Sequence, residues 1–234
     1  MPAVMRNTMS DINKTSKEDI LYAAVKAGLG SIPVLGSAAT ELFGLVVTPP
    51  LDKRRQEWMN EVAEKLKALE ENNQVDFSKL SQNEQFIDTI IQATTIAIKT
   101  SEKEKIVALR NAVTNTALDE APEKTKSQIF LNLVDSFTVW HLKILTFFDN
   151  PKAWFQRAGQ SPPNLMMGSM FSVLKSAYPS LAGQDELVDL IWNDLHNAGL
   201  HNTSGLKTMM SGDGALAERT TELGKEFIQF ISQD

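Results

Sequence analysis

The chain of 234 residues contains no cysteine, and this excludes a disulfide framework, a thiolate metal site and a cysteine nucleophile. Histidine is nearly as scarce, with only His141, His196 and His201 present. These are the only side chains whose ordinary pKa lies near neutrality. His196 and His201 stand five apart, which is not the i, i+4 spacing of a zinc-binding HExxH helix. His141 lies beside Trp140 at the edge of an apolar helical face, a setting that reads as a satisfied core histidine. Gly-x-Ser-x-Gly and a Ser-His-Asp pattern are both missing, and carboxylate pairs such as Asp185 and Asp189 read as a solvated helix face. The chain is therefore expected not to be an enzyme and to need no cofactor or metal.

Basic charge is also in deficit, with 23 Lys and Arg against 29 Asp and Glu and a formal net charge of −6. Nucleic acid and anionic lipid reward clustered cations, so neither is a general partner of this composition. The imbalance is local. From Leu181 to Asp234 there are nine carboxylates and three cations (Lys207, Arg219 and Lys225), a difference of 9 − 3 = 6 that equals the whole net charge. A secretory leader is not expected from MPAVMRNTMSDINKTSKED, and the cytoplasm is the expected compartment.

What the chain has is apolar content, 42%, enough for a sizeable core and arranged almost throughout at helical spacing. Residues 1–15 have no period and read as a flexible arm. Ala23 to Pro50, AAVKAGLGSIPVLGSAATELFGLVVTPP, reads as an apolar helical hairpin turning at Pro33 and Gly36. Thr48 and Pro49 open a long helix with Leu51, Trp58, Val62, Leu66 and Leu69 on one face. Ser81 with Glu84, and Ser101 with Glu104, predict capping boxes for two further helices, whose faces are Phe86, Ile87, Ile90, Ile91 and Ile98, then Ile106, Leu109, Val113 and Ala117. Residues 16–120 are expected to form a helical bundle with the hairpin.

DEAPEKTKS marks the division from a second lobe, 121–234. There the spacing predicts helices through VWHLKILTFF, split near Ser136 or Thr138, and through PKAWFQRAG after Asn150. Another is expected to open at Pro162 and Pro163. A further helix has Leu187, Val188, Ile191, Trp192 and Leu195 as its face and ends at Gly199 and Leu200. SGDG is expected to be a small β-hairpin, and TTELGKEFIQFI a closing helix with Leu223, Phe227 and Ile231 on one side. The fold class is all-α.

The glycines of the hairpin fit no nucleotide motif. Gly30 and Gly36 are six apart and followed by Ser37 instead of Lys, and Pro33 stands where a dinucleotide fingerprint needs its third glycine. Gly36, Thr40 and Gly44 have the spacing that lets helices approach closely. The uncharged run Ala27–Thr40 is nevertheless too short for a spanning helix, which needs about 20 residues. A membrane is thus a conditional partner, reached if the hairpin is released. The expected contact residues are Leu29, Ile32, Val34, Leu35, Leu42, Phe43, Leu45 and Val46, followed by the basic triplet Lys53, Arg54 and Arg55.

In the second half, a helix carrying HLKIL, a helix ending DLHNAGL, the hairpin-like SGDG segment as the wing and the closing TTELG helix together look like a winged-helix module. Over residues 25–231 the layout resembles the bacterial abortive-infection alpha family. The pieces that carry this are the Gly-rich apolar start, LDKRRQEWMNEVAEKLKALEENN, EKIVALRNAVTNTAL, VWHLKILTFF, NDLHNAGL and TTELGKEFIQFI, while PKAWFQRAGQSPPN departs from the pattern. The resemblance implies a role in anti-phage defence, with no reaction and no catalytic residues to carry over. The function expected is contact with an unidentified protein, a homo-oligomer being open. The alternative is a regulatory or structural interaction module, homodimeric or not, with no membrane step.

Overall fold

The computed structural model of the protein describes residues 48–203 and 205–233. The arm, residues 16–22, the hairpin as far as residue 47, and the eight apolar contact residues from Leu29 to Val46 lie outside the described residues. The protein is mainly helical, as the apolar spacing predicts, with one two-stranded sheet among the described residues. It divides into two compact units between Lys124 and Thr125.

The first unit is built on α1 (Thr48–Glu71). Its Trp58, Val62, Leu66 and Leu69, at spacings of four, four and three, are all buried, whereas Leu51 is half-exposed. Such a stripe covers one side of a helix and drives it onto its neighbours. The Trp58 indole N–H reaches Thr94 Oγ1 at 2.9 Å, so the largest ring of this core leaves no polar atom unpaired. Asn73, at φ 56°, ends α1: Gln74 N–H donates to Leu69 O and Asn73 N–H to Glu70 O, the paired bonds of a left-handed C-terminal cap.

Two predicted caps are corrected here. The connector after α1 holds a one-turn helix, α2 (Phe77–Leu80), and Ser81 is consumed in closing it, its Oγ donating to Ser78 O. Asn83 therefore caps α3 (Glu84–Lys99), accepting Phe86 N–H at 3.0 Å. Likewise α4 (Lys103–Ala117) starts at Glu102 without a side-chain cap, so Ser101 and Glu104 form no box. Helices α1, α3 and α4 pack on one another. Ile106 is only half-buried, while every residue from Asn111 to Ala117 is buried, Thr114 and Thr116 returning their hydroxyls to the carbonyls of Arg110 and Ala112.

The second unit runs from α5 (Lys124–Ser136) through α6 (Val139–Asp149), split at Thr138 as the sequence predicts. Asn150 accepts Ala153 N–H at 2.9 Å and caps α7 (Pro151–Arg157), with Pro151 at its first position. The next helix, α8 (Met170–Ala177), opens at Ser169, seven residues or so later than the Pro162 and Pro163 expectation. The delay arises because strand β1 (Met167–Gly168) occupies the intervening chain. A 3-10 turn (Pro179–Leu181) leads into α9 (Asp185–Asn197).

The hairpin expected at SGDG is not formed. Strand β2 (Met210–Ser211) pairs antiparallel with β1, far upstream, and Gly212–Ala215 turns as helix α10. Ser211 Oγ accepts Gly214 N–H at 3.1 Å, which turns the backbone into a helix where a hairpin would need it extended.

The closing helix α11 (Glu222–Ile231) buries Gly224, Phe227, Phe230 and Ile231, with Leu223 only half-buried. Phe130 of α5 meets Phe227 edge to face at 5.3 Å and Phe230 at 5.9 Å. The start of α11 is joined to the end of α9. Gly199, at φ 74°, terminates α9, and Leu200 is fully buried. Thr221 N–H donates to Leu200 O at 3.0 Å, and Thr221 Oγ1 donates to Gly199 O at 2.7 Å while accepting Gly224 N–H at 3.0 Å. A Cβ on Gly224 would collide with the backbone carbonyl of Leu200. Gly224→Ala is accordingly expected to destabilise the protein by about 1–3 kcal/mol, the usual cost of overpacking. Urea denaturation checks it, and an unchanged midpoint would contradict the close approach.

Candidate functional site

Helix α9 presents two distinct faces. Val188, Ile191, Trp192 and Leu195 follow the i, i+3, i+4, i+7 stripe and are buried, and the helix packs on α6. Leu187, expected on that face, is 40% exposed, and Leu190 is 57% exposed. The reason is angular. Leu187 and Leu190 are one turn apart from each other and off the buried stripe, so packing the stripe turns both outward.

The carboxylates around the pair have separate roles. Asp189 accepts from Lys207 Nζ at 2.5 Å, and this bond, helped by the fields of Asp185 and Glu186, holds the lysine ammonium above its ordinary pKa. Asp194 faces inward to His141 Nε2 at 3.3 Å. Asp185 and Glu186 are exposed in the first turn, where the helix dipole favours negative charge. Among the described residues neither makes an ion pair.

His141 lies between a Thr hydroxyl and an Asp carboxylate, the order of groups in a hydrolytic relay. Its Nδ1 lies 2.9 Å from Thr138 Oγ1 but also accepts the Thr138 backbone N–H at 3.1 Å. A ring nitrogen whose lone pair is held by a main-chain N–H is poorly placed to take a hydroxyl proton. The proton must then be on Nε2, directed at Asp194. The ring is buried and stacked on Phe137 with centroids 4.6 Å apart. It caps α6 and ties that helix to α9.

His201 is held in the same fashion. It stacks on Trp192 at 3.6 Å, donates Nε2–H to Trp192 O at 2.8 Å and accepts Thr203 N–H on Nδ1 at 3.3 Å. Burial, with a smaller contribution from nearby His196, depresses its pKa to about 4, against 6.5 for a free imidazole. Among the described residues, no cluster of three or more His, Asp or Glu side chains could hold a metal. No described helix is long and apolar enough to cross a membrane.

In the first unit, the basic triplet opens α1 with a long contact from each side chain, and Arg55 Nε is buried without a hydrogen-bond partner among the described residues. Lys53 lies 3.7 Å from Glu57, Arg55 lies 3.6 Å from Asp52, and Arg54 donates to Ile98 O at 3.5 Å, at the C-terminal end of α3. Lys53 and Arg54 also line a cleft of about 600 Å³ with Trp58, Lys103 and Arg110, the last bonded to Glu61 at 2.9 Å. Exposed pairs of this kind contribute little to stability, a few tenths of a kcal/mol to about 1 kcal/mol each.

Comparison of the chain with models of known protein families, with characterised proteins and with solved structures gives no match.

The histidine geometry sets a pH dependence. Because the folded pKa of His201 lies below 6.5, the unfolded chain binds its proton first, and stability falls as pH drops from 6.5 towards 4. Urea unfolding at pH 6.5 and pH 5 is expected to show a larger loss for the wild type than for His201→Gln, which keeps an N–H donor without a titrating ring. Equal losses would mean that His201 is not held neutral.

Proposed function

We propose that this is a cytoplasmic contact protein of the bacterial anti-phage or stress type, working by binding a protein partner and without turning over a substrate. The single observation that supports this reading most is the α9 ridge, with Leu187 and Leu190 outward among carboxylates while the helix is anchored by four buried side chains. Apolar side chains held outward on a rigid helix are what a docking surface needs. The order of an α9-like helix, a Gly-Leu step and a Thr-x-x-Gly closing helix also supports the winged-helix-like reading of the second unit. Acidity turns that shape towards protein and away from nucleic acid, whose phosphates would face carboxylates.

The test is phage challenge of a bacterial host expressing the protein. Wild type is expected to lower plaque formation, and the double change Leu187→Asp with Leu190→Asp to abolish that protection with an unaltered circular dichroism spectrum. Solvent-face changes normally shift stability by no more than about 0.5 kcal/mol, so lost protection would report lost contact. Protection by both proteins, or by neither, overturns the reading.

A second reading rests on the run Ala27–Thr40 with its small-residue spacing, next to Lys53, Arg54 and Arg55. It gives the protein a conditional membrane step. Leakage from anionic vesicles by wild type, lost in Leu35→Asp, is the outcome it requires; no association of wild type with vesicles under any trigger removes it.

A further inference from the structure

We infer that the partner surface docked on α9 is a basic amphipathic helix, an inference that rests on the contact reading above and adds the chemistry of the partner. Leu187 and Leu190 offer two neighbouring apolar knobs on one line of the helix, the spacing that a second helix meets with its own i, i+3 or i+4 side chains. Their surroundings select the sign of charge. Asp189 is shared with Lys207 and Asp194 is turned to His141, which leaves Glu186, adjoining Leu187 in the chain and Leu190 around the helix, as the exposed carboxylate beside the leucines, outside any ion pair among the described residues.

Other occupants fail on the same charge. A second copy would bring its own acid-rich segment from Leu181 to Asp234 against this one, and like charges across an interface are costly. An anionic membrane or a nucleic acid meets the same repulsion, made worse by the excess of six negative charges between Leu181 and Asp234 (nine acidic residues minus three basic). A helix with leucine-like side chains flanked by Lys or Arg satisfies both the apolar pair and the carboxylates. The rigid placement of α9 keeps the cost of ordering on this protein's side small.

The test uses the full chain and a fluorescein-labelled synthetic peptide of leucine and lysine, about 18 residues or five turns long, with leucines at i, i+3, i+4 and i+7. Controls are a peptide of the same composition in scrambled order and one with Glu replacing Lys. Fluorescence anisotropy is expected to show the amphipathic basic peptide binding at least about tenfold more tightly than either control. Leu187→Ser with Leu190→Ser should lose about the same factor, and Glu186→Lys should weaken binding and flatten its dependence on salt. Equal binding of the scrambled peptide, or binding untouched by the serine changes, would mean charge attraction alone and overturns the proposal. So does self-association of the wild type in sedimentation equilibrium that is lost in Leu187→Ser with Leu190→Ser, which would make a second copy the occupant. If the peptide fails to bind while the leucine changes still abolish phage protection, the partner class is wrong and the contact reading stands. If the peptide binds as expected and no protection is seen, the docking chemistry stands and the defence role does not.

Discussion

The second unit depends on one junction, where Thr221 and Gly224 of the closing helix meet the Gly199 and Leu200 carbonyls at the end of α9. The Thr221 hydroxyl serves both helices, donating to Gly199 O and accepting from Gly224 N–H. That geometry needs Gly199 in the left-handed region and leaves no room for a side chain at position 224. Because the junction is made of backbone groups and one small hydroxyl, it sets the separation of the two helices more tightly than side-chain packing would. The Phe130, Phe227 and Phe230 rings then fill the apolar space on the inner side of α11.

With α9 held at its end, its inner face closes over α6, and two of the polar ties made by α9 involve histidines. His141 joins Thr138 to Asp194, and His201 joins Trp192 to Thr203. Both rings spend their nitrogens on fixed partners, an arrangement that rigidifies a core and leaves little for chemistry on a substrate. The outward consequence is the ridge. A helix pinned at one end and stacked along one stripe has no freedom to roll Leu187 and Leu190 inward, so their exposure is a property of the fold and not of a loose surface.

The first unit shows how the same local rules yield different detail when neighbours compete. Ser81 and Ser101 each had the right residue three places on for a capping box, yet Ser81 was drawn into a helical turn and Asn83 took its place. Trp58 kept its expected role because a large ring on a strong stripe has few alternatives once Thr94 supplies a partner for its N–H. In the basic triplet only Lys53 is fully exposed; its pairing with Glu57 and that of Arg55 with Asp52 are local, while half-buried Arg54 reaches the Ile98 carbonyl on α3.

Read from the amino acids alone, the helical class, the stripes of α1 and α9, the Asn150 and Gly199 signals and the acid-rich final quarter are all legible. Each depends on spacing or on the conformational preference of one residue, which act within a few positions of the chain. The tertiary structure alone decided what depended on distant pairing. It sent Met210–Ser211 to Met167–Gly168 instead of into a hairpin, and delayed α8 until Ser169. It chose which leucines of α9 would be core. Periodicity identifies an apolar stripe about 100° wide but not its edges, and Leu187 stood at the edge. Only the helix against which α9 closed could place that residue outside, and with it the surface on which this protein's function is proposed to rest.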